Sequence, residues 1–168
     1  DGTPATSYTL ESYPFNGTFV TCKIPVLTSN SSGGTTDVIL SNDTTITNAY
    51  GFQFQFDGTN YNYYYYYDNP VTPTLLGTFI PSTDYFTIAV TNAFAIWYKN
   101  GIEDVSEPTL DNTDALQAYF YIYGQNDKVS NISYGYVASG TTGYTGFTGY
   151  TGYTGYTGYT GYTGYTGY

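Results

Sequence analysis

The chain of 168 residues carries thirteen acidic residues against three lysines, has no histidine, and has a formal net charge of −10 at pH 7. This charge argues against nucleic-acid binding, which needs cations to neutralise phosphates, and against anionic membrane surfaces. The lack of histidine removes the commonest general base and metal ligand, so we predict no enzymatic activity and no cofactor.

Short strand patterns follow one another through residues 1–139, separated by Gly, Pro, Asn and Asp. The clearest is the alternation of Phe52, Phe54 and Phe56 with polar residues, which is typical of a strand with one buried face. The segment "DGTN" (57–60) reads as a turn and 61–67 runs back, so this region predicts a β-hairpin. The other predicted strands are 19–27, 36–40, 75–80, 85–90, 94–98, 118–123 and 129–137.

Helix signals are confined to "TLDNTDALQAYF" (109–120), which offers an N-cap and one short turn. Many short strands and few helix signals predict an all-β head domain over residues 1–139, folded as an antiparallel β-sandwich or jelly roll. Within the helical segment, Asp111, Asn112 and Asp114 lack the spacing and terminal glutamate of a calcium loop, so we predict no metal site. No stretch is long and apolar enough to span a bilayer, and we predict no membrane insertion.

The single cysteine and the Asn-X-Ser/Thr tripeptides indicate the compartment of the protein. Cys22 lies in the apolar segment "TFVTCKIPVL", which predicts a buried thiol and excludes an intrachain disulfide. Four N-glycosylation sequons occur, at Asn16, Asn30, Asn42 and Asn131. Together with the scarce lysine they fit an exported glycoprotein, and plain loop composition is the alternative.

The segment "YNYYYYYDNP" contains the densest run of tyrosines in the chain. In a strand the run divides between two faces. One face receives Tyr61, Tyr63, Tyr65 and Tyr67, and the other receives Tyr64 and Tyr66. We predict that one set is core and the other an interface with a neighbouring subunit or sheet, because so many exposed tyrosines would be adhesive. A carbohydrate-binding face is the alternative, since each ring has an apolar body and a polar tip.

The last segment, residues 140–168, is a repeat with glycine at every third position. The glycines are Gly140, Gly143, Gly146, Gly149, Gly152, Gly155, Gly158, Gly161, Gly164 and Gly167. A collagen triple helix requires this period, because only glycine fits where each third residue meets the axis. A triple helix over this segment would be about 90 Å long at roughly 3.1 Å per residue.

The Gly-Tyr-Thr triplets resemble the Gly-X-Thr repeats of collagen-like proteins from bacterial spore coats, bacteriophages and giant viruses. The resemblance is confined to residues 140–168 and implies a trimeric surface fibre with sugars on its threonines. The candidate O-glycosylation sites are Thr142, Thr145, Thr148, Thr151, Thr154, Thr157, Thr160, Thr163 and Thr166. Unlike most collagen-like segments, this repeat contains no proline. An unmodified triple helix would therefore be marginal, and we expect a trimeric head and threonine glycans to stabilise it together.

Two other structures are compatible with the repeat, namely a flexible glycosylated linker and a stacked β-assembly. The favoured interpretation is a structural subunit of an extracellular, cell-surface or virion-surface fibre, self-associating as a homotrimer or filament. The alternative is an adhesive or glycan-binding head displayed on a collagen-like stalk.

Overall fold

The computed structural model describes most of the head domain. The described residues are 5–8, 11–28, 35–42, 49–68, 72–110, 114–124 and 126–137. The repeat of residues 140–168 and the sequon residue Asn30 lie outside the described residues, together with every prediction made for them.

Eleven β-strands form the described part of the chain. They are β1 (Ala5–Tyr8), β2 (Thr18–Val26), β3 (Thr36–Ser41), β4 (Ala49–Phe56), β5 (Tyr61–Asp68), β6 (Thr74–Thr78), β7 (Tyr85–Val90), β8 (Phe94–Lys99), β9 (Ile102–Pro108), β10 (Gln117–Ile122) and β11 (Lys128–Tyr136).

The strands form two antiparallel sheets, which confirms the predicted all-β fold. The six-stranded sheet has the order β1-β10-β3-β4-β5-β6, and the five-stranded sheet has the order β11-β2-β7-β8-β9. Along the chain, β3 to β6 and β7 to β9 are two meanders, and the strands before and after them cross between the sheets. The two sheets pack face to face as a β-sandwich.

The core fills the space between the sheets and is strongly aromatic. In β4, Tyr50, Phe52 and Phe54 point inward and are buried against Phe86 and Trp97 of the opposite sheet. The Trp97 side chain crosses to the six-stranded sheet, where its Nε1 donates a hydrogen bond to the Gly51 carbonyl oxygen at 2.9 Å. Because residues alternate along a strand, the intervening residues of β4 lie on the outer face of the sheet.

All the predicted strands are present, with their ends displaced by at most two residues. Cys22 is a buried free thiol, as predicted. Burial raises the pKa of this thiol to about 12. The described residues of the segment 109–120 contain no helical turn. Leu116 pairs with Tyr13 in an isolated bridge and β10 begins at Gln117, because the pairing of β10 with β3 overrides the local helix signal.

Two strands were not predicted, and both lie at sheet edges. Strand β9 contains Glu103, Asp104 and Glu107, a composition typical of a loop. Charged residues on an edge strand block pairing with another chain, which explains their presence in β9. Strand β1 is only four residues long, too short for a clear alternation. The described part of the chain contains no helix that could cross a membrane.

A buried carboxylate holds β3 in place relative to the five-stranded sheet. Asp127 Oδ1 accepts hydrogen bonds from the backbone nitrogen and the hydroxyl of Thr28, both at 2.7 Å. Its Oδ2 accepts a third from the Thr36 hydroxyl at 3.1 Å. The carboxylate therefore joins the chain after β2, the first residue of β3 and the segment before β11. This connection fixes the start of β3, from which the candidate site is built.

Candidate functional site

The outer face of the six-stranded sheet carries an unusual mixture of tyrosines, amides and one carboxylate. One row across four strands consists of Tyr121, Asp37, Gln53 and Tyr64, which are direct partners in the strand register. Together with Gln55, Asn62, Tyr66 and Tyr123, each two positions along the chain from a member of the row, these residues form what we call the tyrosine face. Its members are Asp37, Gln53, Gln55, Asn62, Tyr64, Tyr66, Tyr121 and Tyr123. At roughly 4.8 Å between strands, the four-residue row spans about 14 Å.

One end of the tyrosine face is covered and the other is open. Tyr66 is buried together with Ile39, Ala49 and Tyr119 in a small cluster outside the main core. Tyr64, Gln53 and Gln55 are only partly buried, and Tyr123 is 44% exposed. The face therefore combines an accessible aromatic surface with a buried cluster at one end.

Gly51 makes the position of the Tyr66 ring possible. A Cβ atom at Gly51 would lie 2.0 Å from Cζ of Tyr66, so any other residue would displace the ring. The Tyr66 ring covers the outer side of Gly51, and Trp97 bonds to its carbonyl group. The absence of a side chain at this one position lets the Tyr66 ring approach the backbone of the sheet closely.

Asp37 is an acidic group in an unfavourable environment. Its Oδ1 atom is buried and has no hydrogen-bond partner among the described residues, although the carboxylate accepts hydrogen bonds from the side chains of Thr35 and Gln53. Burial raises the pKa of Asp37 to about 6, and those two bonds offset only part of the effect. A carboxylate with an unused buried oxygen destabilises the fold, and such groups are concentrated at functional sites.

The hydroxyl of Tyr66 is a second buried polar group without a partner among the described residues. Burial raises the pKa of Tyr66 well above its usual value, and the charges of Asp37 and of neighbouring tyrosines raise it further. An unpaired buried polar group costs roughly 1–3 kcal/mol. Two such groups, both closed to solvent, lie within electrostatic reach of each other at one place on the tyrosine face.

The six-stranded sheet carries negative charge alone. Its strands contain two charged residues, Asp37 and Asp68, and both are acidic. The three lysines of the chain, Lys23, Lys99 and Lys128, all lie in the five-stranded sheet. The tyrosine face therefore has no lysine or arginine with which to bind an anion.

The tyrosine run divides between the two faces as its alternation predicts. The odd-numbered tyrosines point inward, and the hydroxyls of three of them reach the acidic edge strand β9. Tyr63 donates to Asp104 at 3.0 Å, Tyr65 to Glu107 at 2.9 Å, and Tyr67 to the carbonyl of Pro108 at 2.6 Å. Tyr61 packs on the core beside Phe56 and Phe79.

The even-numbered tyrosines belong to the tyrosine face. Tyr64 donates a hydrogen bond to Gln55 Oε1 at 3.3 Å, and Tyr66 lies over Gly51. Of the six tyrosines predicted as core or interface, only these two therefore lie on a surface that faces away from the core.

The described sequon residues are dispersed over the surface. Asn131 is exposed on β11 with a positive φ of 51°. Asn16 is partly buried and accepts a hydrogen bond from the Asn92 backbone nitrogen at 3.1 Å. Asn42 is partly buried and its Nδ2 donates to Asp114 at 3.3 Å. Among these three, Asn131 has the side chain most open to a glycan.

Most residues of the tyrosine face were not singled out by the sequence. Gln53 and Gln55 alternate with the phenylalanines of β4, and their outward position follows from that pattern. Asp37, Tyr121 and Tyr123 are brought to the same face only by the pairing of β10 with β3, which joins distant parts of the chain. No three His, Cys, Asp or Glu side chains in the described ranges come together as a set that could hold a metal ion.

No family model matches the chain, and no curated protein sequence does. Several solved structures are similar to it at low identity. The Crh5 transglycosylase in complex with NAG aligns with a TM-score of 0.49 and 14% identity over 69% of the chain, which spans about half (51%) of the transglycosylase. Sheep galectin-11 in complex with glycerol aligns with a TM-score of 0.44 and 12% identity, over 79% of the chain and 97% of the galectin.

The carbohydrate-binding module CBM66 from Bacillus subtilis aligns with a TM-score of 0.45 and 10% identity, over 77% of the chain and 91% of the module. With TM-scores below 0.5 and identities of 14% or less, these three similarities imply no shared function.

Proposed function

We propose that the head domain is a glycan-binding module and that the tyrosine face is its binding site. The observation that carries the proposal is the combination of accessible tyrosine rings with side-chain amides and a partly buried carboxylate on one sheet face. A sugar ring has an apolar face of C–H groups, which stacks on a tyrosine ring, and an edge of hydroxyl groups. Amides and carboxylates pair with those hydroxyls as donors and acceptors.

The arrangement of the face suits an oligosaccharide better than a single sugar. The row from Tyr121 to Tyr64 places an aromatic residue at each end and the polar pair Asp37 and Gln53 between them. A chain of sugars lying along the row would stack on the end residues and form hydrogen bonds in the middle. The buried cluster around Tyr66 keeps the face rigid, which limits the entropy lost on binding.

Substitution of the most exposed tyrosine of the face tests the proposal. Tyr123→Ala removes a ring that is 44% exposed, so the fold should tolerate the change. The matched control is Tyr85→Ala, because Tyr85 is 38% exposed and lies in the other sheet. A glycan array identifies a ligand for the natural chain, and calorimetry then compares the variants.

We expect Tyr123→Ala to weaken binding about tenfold, which corresponds to an aromatic contact of roughly 1.4 kcal/mol. Tyr85→Ala should bind like the natural chain. The proposal fails if the natural chain binds no glycan, or if the two variants lose affinity equally.

We further propose that the repeat of residues 140–168 forms a collagen-like stalk that displays three heads at an extracellular, cell or virion surface. The perfect glycine period supports this part of the proposal. Three linked heads would bind a surface with many glycans far more tightly than one head. Sedimentation of the full chain measures the assembly state, and Gly155→Ala should lower the melting temperature of the trimer. A monomeric full chain would contradict the stalk but leave the binding site intact.

The structural fibre subunit remains the second candidate function, and the same glycine period favours it. In that case Tyr64 would contact a neighbouring subunit instead of a glycan. Electron microscopy of the natural chain and of Tyr64→Ala tests this candidate. It is favoured if the natural chain forms filaments, the variant forms none, and the natural chain binds no glycan.

A further inference from the structure

We infer that the tyrosine face selects neutral glycans and rejects those that carry sulfate, phosphate or carboxylate groups. The inference rests on the proposed function, because it names the class of glycan that the same face binds. Its geometric basis is the separation of charge between the two sheets.

The six-stranded sheet, which carries the tyrosine face, contains no lysine or arginine that could bind an acidic sugar. Proteins bind sulfate, phosphate and carboxylate groups through Arg and Lys or through clustered backbone amides. The chain has three lysines, and each lies in the five-stranded sheet, on the other side of the core. Lys99 is further engaged by Asp84, with Nζ 3.2 Å from Oδ2, and by the Thr78 carbonyl oxygen at 2.6 Å.

The charge on the tyrosine face is negative and therefore repels an anion. The Asp37 carboxylate lies in the central row, and no cation is paired with it in the described structure. A partly buried charge is poorly screened by solvent and salt, so it repels an approaching anion more strongly than an exposed one does. The remaining polar groups are the amides of Gln53, Gln55 and Asn62 and the tyrosine hydroxyls, all of them uncharged partners for hydroxyl groups.

The experiment uses the full chain and matched oligosaccharides that differ only in charge. Each neutral oligosaccharide is compared with its sulfated and sialylated forms. Affinities are measured at pH 7.5 in low and high NaCl. We expect the acidic forms to bind at least tenfold more weakly than the neutral form, and the affinity for the neutral form to change less than twofold with salt.

A pair of matched variants identifies the source of the selectivity. Asp37→Asn keeps the shape of the side chain and removes its charge, so the ratio of acidic to neutral binding should rise severalfold. Asp68→Asn removes the other charge of the sheet from an exposed position at the end of β5, and the ratio should not change.

The outcomes separate this inference from the proposed function. Equal or stronger binding of acidic oligosaccharides would overturn the inference while the face remains a glycan site. An unchanged ratio in Asp37→Asn would also overturn it, because the selectivity would arise elsewhere. If no member of any series binds, the proposed function and the inference fall together.

Discussion

Replacing Asp37 with asparagine should make the protein more stable at neutral pH. Burial raises the pKa of Asp37 from 3.8 to about 6, so the ionised carboxylate destabilises the folded state. Each pKa unit corresponds to about 1.4 kcal/mol, and a shift of this size corresponds to about 3 kcal/mol at pH 7. Asparagine carries no charge at any pH and avoids this penalty. The expected gain is about 3 kcal/mol, reduced by whatever the buried amide costs.

The pH dependence of that gain follows from the direction of the shift. Below pH 3.8 the carboxyl is protonated in both folded and unfolded chains, and Asp37 causes no penalty. As the pH rises towards 6, the unfolded chain ionises first, so the folded chain binds more protons and loses stability. Above pH 6 the penalty is constant. The two proteins should therefore differ at pH 7 and be nearly equal at pH 4.

Urea unfolding at pH 4 and pH 7 measures the effect, with the fluorescence of Trp97 as the probe, since it is the one tryptophan and is fully buried. Other carboxyl groups titrate in both proteins and cancel in the difference. Asp57→Asn is a control that should change the stability at pH 7 in the opposite direction. Backbone hydrogen bonds from Asn60 and Thr59 lower the pKa of Asp57 to about 2, so its ionised form stabilises the fold. A less stable Asp37→Asn protein at pH 7, or the same difference at both pH values, would refute the reasoning.

Three further substitutions test the packing around the tyrosine face by urea unfolding. Gly51→Ala should lower the free energy of unfolding by about 1–3 kcal/mol, since the new methyl group would displace the Tyr66 ring, and the loss should shrink in a Tyr66→Ala background. Tyr66→Phe removes a hydroxyl without a partner among the described residues, so stability should be unchanged or rise by up to about 1 kcal/mol; a clear loss would reveal a partner. Asp127→Ala should cost about 3 kcal/mol, because it leaves the Thr28 backbone nitrogen and the Thr36 hydroxyl unpaired; a loss below 1 kcal/mol would count against the buried connection.

The strands were predictable because apolar residues alternate along them, and the alternation also predicted how the tyrosine run divides. Strand β9 was not predictable, because its acidic residues Glu103, Asp104 and Glu107 are typical of a loop. No local pattern indicates that this segment is the edge strand of a sheet. The candidate site was harder still. Asp37 and Tyr121 are far apart in the chain, and only the register between β3 and β10 makes them neighbours. A sequence pattern of period two assigns residues to faces but does not say which strands pair.

The placement of all three lysines in one sheet has a practical consequence for experiments on the protein. Reagents that react with lysine side chains, such as amine-coupling surfaces and biotin esters, would modify the five-stranded sheet. Lys128 is exposed and Lys23 is partly exposed, so both are open to such reagents, whereas Lys99 is held by Asp84. A head immobilised through its lysines would present the opposite sheet, with the tyrosine face, to the solution. Labelling chemistry thus supplies an oriented sensor surface without an engineered attachment point.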